Sequence, residues 1–397
     1  MFNRVEKYEN AIKDNLLKNK LLLFNLLVTI IAFLVRLSLI KFQTGDYIGF
    51  LHPWMTEMKR SGGLLALGKQ IGDYNVLYQF LIALGSYLPL NDLYLYKGLS
   101  IIFDFILAMG VGLVVQSLTK NNKKIYFSFS YAITLLLPTV IFDSALWAQC
   151  DSIYATFIIF SIYFLIKNKY IYSFAFLGIA FAFKLQTIFI LPVYLILYLV
   201  NHRIHIYYYL ITLLTFWICG LPAFLVGRSV FSPFQIYMGQ TGTYKSLFMN
   251  FFNLTGLLGS QANNLINYEA LSKFFILFTV FILLVGFMVF LIKYQKNSLV
   301  FLELASWTVY TCVMFLPSVH ERYSFLVDIL LIILAFVNKR YISIAIFEIL
   351  NSFLGYTIYL FSSNINIILF SYISVLTYIY FTFIFFNGLL NNKVIEK

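Results

Sequence analysis

Asp46 lies in the run Gly45-Asp46-Tyr47-Ile48-Gly49-Phe50-Leu51-His52-Pro53-Trp54, a few residues beyond a long apolar stretch. A carboxylate at such a membrane edge could take a proton from an acceptor hydroxyl while a lipid-borne substrate waits in the bilayer. The structural alternative is a loop aspartate that caps the amphipathic helix at 50–60. Asp73 and Tyr74 enter a second polar run, Gly72-Asp73-Tyr74-Asn75, where Asp73 could equally start a helix. Between 143 and 151 the chain offers an indole donor in Trp147, an amide in Gln149 and two acids, Asp143 and Asp151. Phe183-Lys184-Leu185-Gln186 puts a lysine between two apolar segments, a place that demands an anion. Pro317-Ser318-Val319-His320-Glu321-Arg322-Tyr323 closes the set, with an internal Glu321–Arg322 pair as the structural alternative. Lys184, Arg322 and His320 could hold a phosphate or pyrophosphate, the arginine by its bidentate fork and the lysine as a point charge.

The elements that must position these residues are membrane helices. Of 397 residues, 61% are hydrophobic and only 11% charged, against roughly 25% charged in a soluble domain. An ordinary globular enzyme is excluded, and so is a disordered chain. Apolar runs predict an all-α polytopic protein with about twelve crossings, near 21–41, 97–118, 125–142, 151–167, 170–183, 186–200, 205–222, 272–292, 298–316, 323–338, 341–361 and 366–388. These form one transmembrane domain over 21–390, between tails at 1–20 and 391–397. The net charge of +12 would point to nucleic acid in a soluble protein. Here Lys and Arg recur on one side of the map: Arg4, Lys7, Lys13, Lys18 and Lys20, then Lys120, Lys123 and Lys124, and later Lys167, Lys169, Arg203, Lys293, Lys296, Lys339, Arg340, Lys393 and Lys397. The positive-inside rule makes that side cytoplasmic, both tails included, and leaves no nucleic-acid role. Segment 76–90 is expected to stay outside as an interfacial or re-entrant helix, because a crossing there would invert every later turn. The outer face then carries two long loops, 42–96 and 223–271, and loops of that length usually have a function.

Three scattered cysteines exclude a disulfide framework, and no zinc, Walker or dinucleotide motif occurs. Asp104, Glu303, Asp328 and Glu348 fall inside proposed spans, where each needs a partner.

As an ordered set, GDYIGFLHPW (45–54), GDYNVLYQFL (72–81), YKGLSIIFD (96–104), DSALWAQCDSIYA (143–155), FAFKLQTIFILP (181–192) and LPSVHERYSF (316–325) resemble the GT-C superfamily of integral-membrane glycosyltransferases, and most closely bacterial proteins akin to GPI-anchor mannosyltransferases. The resemblance covers about 21–330; beyond 340 the chain adds only hydrophobicity. It implies an inverting transferase of the multi-pass bacterial plasma membrane. Such an enzyme moves a sugar from a polyprenyl-phosphate donor to a glycan or lipid-linked acceptor on the extracytoplasmic face. It assigns the general base to Asp46, donor-phosphate binding to Lys184, Arg322 and His320, and the substrate pocket to Asp73, Tyr74, Trp147, Gln149, Asp151, Gln186 and Glu321. Many relatives carry a DxD or ExD pair where this chain has Asp46 alone, so no metal ligand set is assigned and a divalent cation stays an open expectation. Position 148 is Ala where relatives commonly have Gly, expected to be a minor change. Lys97 falls within another family-like motif and is grouped with the phosphate-handling cations. Tyr47, Trp54, Tyr74 and Trp147 could stack on sugars, although interfacial aromatic belts are the commoner cause. The rival reading is a glycan or lipid flippase, or another secondary transporter, whose polar site would sit near the bilayer midplane.

Overall fold

The computed structural model describes residues 13, 15–240, 244–263, 268–294 and 297–391, with the backbone alone at 260–262. Arg4, Lys7, Lys296, Lys393 and Lys397 of the basic turns and tails lie outside the described residues.

The protein is a helical bundle in which every segment expected to cross carries a helix. The long helices are α1 (Lys20–Leu39), α4 (Asp92–Leu118), α12 (Tyr268–Ile292), α13 (Ser298–Phe315), α15 (Ile342–Phe361) and α16 (Ile367–Leu390). These six are long and apolar enough to span a bilayer, and the bent pair α5 (Lys123–Leu136) and α6 (Pro138–Leu146) makes a possible seventh span. Helices α7 (Asp151–Ile166), α8 (Tyr170–Phe183), α9 (Leu191–Val200), α10 (Ile206–Ile218) and α14 (Phe325–Val337) have 16, 14, 10, 13 and 13 residues. At 1.5 Å per residue they reach roughly 15–24 Å, short of a ~30 Å hydrocarbon core. The expected twelve crossings are thus twelve helical segments, of which six have full spanning length. The segments 42–91 and 223–267 add α2 (His52–Arg60), α3 (Val76–Gly85) and α11 (Ser232–Gln240). At 10 residues α3 is about 15 Å long, and its polar Tyr78 and Gln79 are buried against the protein. Among the described residues the only paired strands are β1 (Phe248–Met249) and β2 (Val319–His320), parallel, with Phe248 opposite Val319.

The polar residues of α4 hold the Asp46 end of the bundle. Asp92, Tyr96, Lys97, Ser100 and Asp104 are all buried, and their spacing puts them along one side of the helix. Asp92 accepts from Tyr47 (3.0 Å) and pairs with His52 (2.5 Å). The Tyr96 hydroxyl donates to the Leu51 carbonyl at 3.1 Å. Lys97 donates to the carbonyls of Leu39 (3.1 Å) and Phe42 (2.6 Å), capping the last turn of α1, whose final carbonyls have no helical partner. Lys97 is therefore a structural cation under the 42–60 segment, away from the candidate site, and not one of the phosphate-handling cations.

Below it, Asp104 meets Arg36 at 2.8 Å, both fully buried. Arg36 also donates to the carbonyls of Ala32 (3.1 Å) and Leu135 (3.0 Å), and Ser144 donates to Asp104 at 2.5 Å. Leu135 has a carbonyl to offer because Pro138 breaks α5. The residue before a proline is steered out of the helical region, and Leu137 is extended at φ −65°, ψ 126°. The chain then bends by 52° into α6. The other acids within spans also have partners: Glu303 with Tyr341 (2.8 Å), Asp328 with Ser352 (2.8 Å) and Glu348 with Tyr310.

Removing one member of a buried ion pair leaves the other uncompensated, at a cost of about 3–5 kcal/mol. Arg36→Met is expected to lower the Tm of the detergent-solubilised protein sharply. Arg36→Met combined with Asp104→Leu should recover most of that loss; equal losses in the single and double variants would refute the assignment.

Candidate active site

Asp46 begins a π-helical turn, Tyr47–Leu51, that runs into α2, and its side chain makes no capping bond. The carboxylate turns inward instead, where four donors meet it. Oδ2 accepts from Trp147 Nε1 (2.8 Å), Gln149 Nε2 (2.9 Å) and Arg322 Nη1 (3.4 Å). Oδ1 accepts from the Tyr359 hydroxyl.

Trp147 and Gln149 reach the same oxygen because of the backbone between them. After the π-helical turn at Phe142–Leu146, Ala148 is left-handed at φ 66°. The turn is held by Trp147 N to Phe142 O (2.8 Å) and Gln149 N to Asp143 O (2.9 Å). A β-carbon in that conformation costs roughly 1–2 kcal/mol relative to the right-handed form. The expectation that Ala in place of the relatives' Gly is minor is corrected: this is a glycine-favouring position occupied by alanine.

Trp147 is fully buried. Its ring stacks on Tyr359 at 4.7 Å and 16°, meets the edge of Tyr356 at 5.5 Å, and lies 5.5 Å from the Arg322 guanidinium. It cannot offer a face to a sugar, and neither can Tyr47, which is buried with its hydroxyl on Asp92. Tyr359 and Tyr356, on α15, overturn the expectation that the chain beyond 340 adds only hydrophobicity.

A cavity of about 490 Å³ opens beside Asp46. Of the residues singled out from sequence, Asp46, Asp73, Tyr74, Gln149, Lys184, Gln186, His320 and Arg322 line it. Trp147, Asp151 and Glu321 do not; they stand behind the wall. Asp151 is fully buried and accepts from Lys184 Nζ at 2.6 Å. The anion that Lys184 requires is therefore internal, and Asp151 is its counter-ion and not a pocket residue. Asp73 is not a helix cap, since the Asn75 side chain caps α3 by accepting from Val76 N. Its backbone turns at Gly72 (φ 71°), where a β-carbon would come within 2.5 Å of the Trp54 ring. Tyr74 donates to Gln149 at 3.1 Å, fixing the amide that donates to Asp46.

The 244–263 segment and the 317–323 run are joined by the β1–β2 pair, and Asn250 bridges to His320. Gly355 lets this layer lie against α15, because a β-carbon there would be 2.8 Å from the Asn250 carbonyl. Glu321 is buried and, among the described residues, makes no ion pair with Arg322, which turns to Asp46. Burial raises the Glu321 carboxyl to about 7, with Arg322 opposing. Burial, then Arg322 and Lys184, lower His320 to about 3. Its ring is neutral at neutral pH, so it would meet a phosphate as a hydrogen-bonding group. His320 Nε2, Arg322 Nε and Gln186 Oε1 are buried atoms with no hydrogen-bond partner among the described residues.

The donor set does not suit a divalent cation. No group of three His, Cys, Asp or Glu side chains converges among the described residues. Both Asp46 oxygens face hydrogen-bond donors, one of them a guanidinium. The arrangement suits an anion beside Arg322 and Lys184, and a hydroxyl that approaches Oδ1, which has one donor where Oδ2 has three.

Glu321 makes a pH prediction. Its folded pKa of about 7 exceeds the ordinary 4.5, so between these values the folded state holds a proton that the unfolded state has lost. Stability should fall as pH rises through that window, by about 3 kcal/mol in all. His320, depressed on folding, acts in the opposite sense and loses stability as pH falls from about 6.5. The test is therefore the difference in Tm between wild type and Glu321→Gln from pH 4.5 to 7.5. A difference that does not change with pH rejects the assignment.

No protein-family profile and no curated protein sequence matches the chain. Among solved structures, it is similar to the crystal structure of ArnT from Cupriavidus metallidurans bound to undecaprenyl phosphate. The TM-score is 0.53 at 13% identity, covering 93% of this chain and 77% of that one. At that identity the likeness speaks for architecture, and it extends past residue 340 into the helices that supply Tyr359. The chain has the GT-C fold that its ordered motifs led us to expect.

Proposed function

We propose that the protein is an inverting glycosyltransferase that moves a sugar from a polyprenyl-phosphate donor to a hydroxyl of a cell-envelope glycan or lipid-linked acceptor. The observation that carries this reading is the convergence of Trp147, Gln149, Arg322 and Tyr359 on Asp46 beside a cavity that Lys184 also lines. The solved structure of the same fold holds undecaprenyl phosphate, which supports a lipid-phosphate donor here. Among the described residues, the basic turns at Lys120–Lys124, Lys167–Lys169, Arg203, Lys293 and Lys339–Arg340 fall at the other end of the helices, which supports an extracytoplasmic site.

In this mechanism the acceptor oxygen attacks the anomeric carbon as the bond from that carbon to the phosphate oxygen breaks. The hydroxyl proton passes to Asp46, through Oδ1. The leaving polyprenyl phosphate takes the bonding pair, and its growing negative charge lies against Arg322 and Lys184. Charge that develops in the transition state is where fixed cations act most strongly. A single displacement inverts the anomeric configuration. The step requires no divalent cation, since two side-chain cations meet the leaving group. The residues that converge on Asp46 lie at one end of the bundle, which favours this reading over a transporter with a midplane site.

Two outcomes are expected with purified protein and synthetic polyprenyl-phosphate sugars in the presence of a chelator. Asp46→Asn should lose about 10²–10⁴-fold in turnover, the range of general-base catalysis, with folding intact. Full turnover in this variant would sink the base assignment, and translocation of glycan without transfer would replace the enzyme reading with a transporter. Tyr359→Phe removes one donor to a charged group, worth about 1.5–3 kcal/mol. It should lower kcat by roughly tenfold or more while KM for the donor changes little; a change confined to KM would make Tyr359 a binding residue instead.

A further inference from the structure

A second cavity, larger than the one beside Asp46, lies elsewhere in the protein. It measures about 1090 Å³ and lies at the opposite end of the same helices. Its wall is built from the first turns of α13 and α15 and the last turns of α4, α14 and α16. The candidate active site uses the other ends, with Arg322 just before α14 and Tyr359 near the end of α15.

Two chemistries meet in this cavity. Its flanks are apolar, with Phe336, Ile349 and Phe385 among the lining side chains, all on helices that pack within the bundle. Its rim is basic: Lys120, Lys339 and Arg340 are exposed there. One acid, Glu303, lies in the wall and accepts from Tyr341 at 2.8 Å. Three exposed cations favour an anionic ligand. The carboxylate disfavours one that is only an anion and favours one that also brings hydrogen-bond donors. Apolar walls at membrane depth favour a ligand with hydrocarbon chains. A free inorganic anion satisfies only the first of these conditions.

We propose that this cavity binds a phospholipid with a donor-bearing head group, of the phosphatidylglycerol type, drawn from the leaflet at the basic end of the bundle. Its phosphodiester lies against Lys339, Arg340 and Lys120, a head-group hydroxyl donates to Glu303, and an acyl chain runs along Phe336 and Ile349. The site is separate from the glycosyl-transfer reading and does not depend on it.

The test uses the full-length protein released from detergent micelles, with bound lipid counted by native mass spectrometry after titration with phosphatidylglycerol, phosphatidic acid or inorganic phosphate. Wild type should retain phosphatidylglycerol. Lys339→Gln with Arg340→Gln should weaken it by about tenfold or more, since two charge-assisted contacts are removed. Gly388→Phe should do the same by occupying the space, because a β-carbon at Gly388 meets no atom within 4 Å. One variant alters charge and the other volume, so misfolding of either leaves the other to decide. Glu303→Gln should erase the preference for phosphatidylglycerol over phosphatidic acid, which lacks the head-group hydroxyls. Unchanged lipid affinity in a folded charge or volume variant overturns the proposal, and so does displacement of the lipid by millimolar inorganic phosphate.

Discussion

The Asp46 end of this protein depends on one buried polar edge of α4. Asp92, Tyr96, Lys97 and Asp104 each hold a different part of the chain: the π-helical turn and α2, the backbone at Leu51, the end of α1, and Arg36 within α1. Polar groups buried in an apolar bundle are costly unless paired. The segment 40–52 therefore has few alternative positions in which all of these groups remain satisfied. Asp46 lies in the middle of that segment. Its place is set less by its own bonds than by the tethers on either side.

A second constraint acts on the carboxylate itself. Four donors converge on Asp46 from three separate stretches of chain. Such a cage is pre-organised, so little rearrangement is needed when charge moves during reaction. The neighbouring cations are managed differently. Lys184 carries an internal counter-ion in Asp151, whereas Arg322 shares Asp46 and keeps Nε unpartnered. The arginine is thus the less satisfied cation and the stronger claimant for an incoming phosphate.

The legibility of these features from sequence follows their physical range. The apolar segments were readable because each helix is local and its composition is its signature. Asp46, Lys184 and Arg322 were readable because charge is rare in this chain and stands out in an apolar context. Trp147 and Gln149 were visible as a polar motif, but their joint action on one oxygen depends on the left-handed Ala148, which no pattern announces. Tyr359 lies 313 positions from Asp46 within an apolar helix, and only tertiary packing brings the two together. Lys97 looked like the other outer cations because sequence does not show which way a side chain leaves its helix. The protonation of His320 has the same origin: an imidazole changes character with burial, and burial is a property of the fold.

The tethering of α1 has a mechanical consequence. This helix is the least enclosed of the long ones, with 17% of its apolar window buried and a single stripe, Val28, Ala32 and Arg36, facing the protein. Its strongest attachments, Arg36 to Asp104 and Lys97 to the carbonyl of Leu39, both lie in its last turn. In effect α1 is a rod held most firmly at one end, with a lighter contact from Thr29 to Tyr131 (2.8 Å) near its middle. Membrane helices answer a change in bilayer thickness by tilting, and a rod held in this way swings more at its less tethered end. Tilting of α1 about the firm end would displace Asp46, which lies just beyond it, less than the opposite end of the helix.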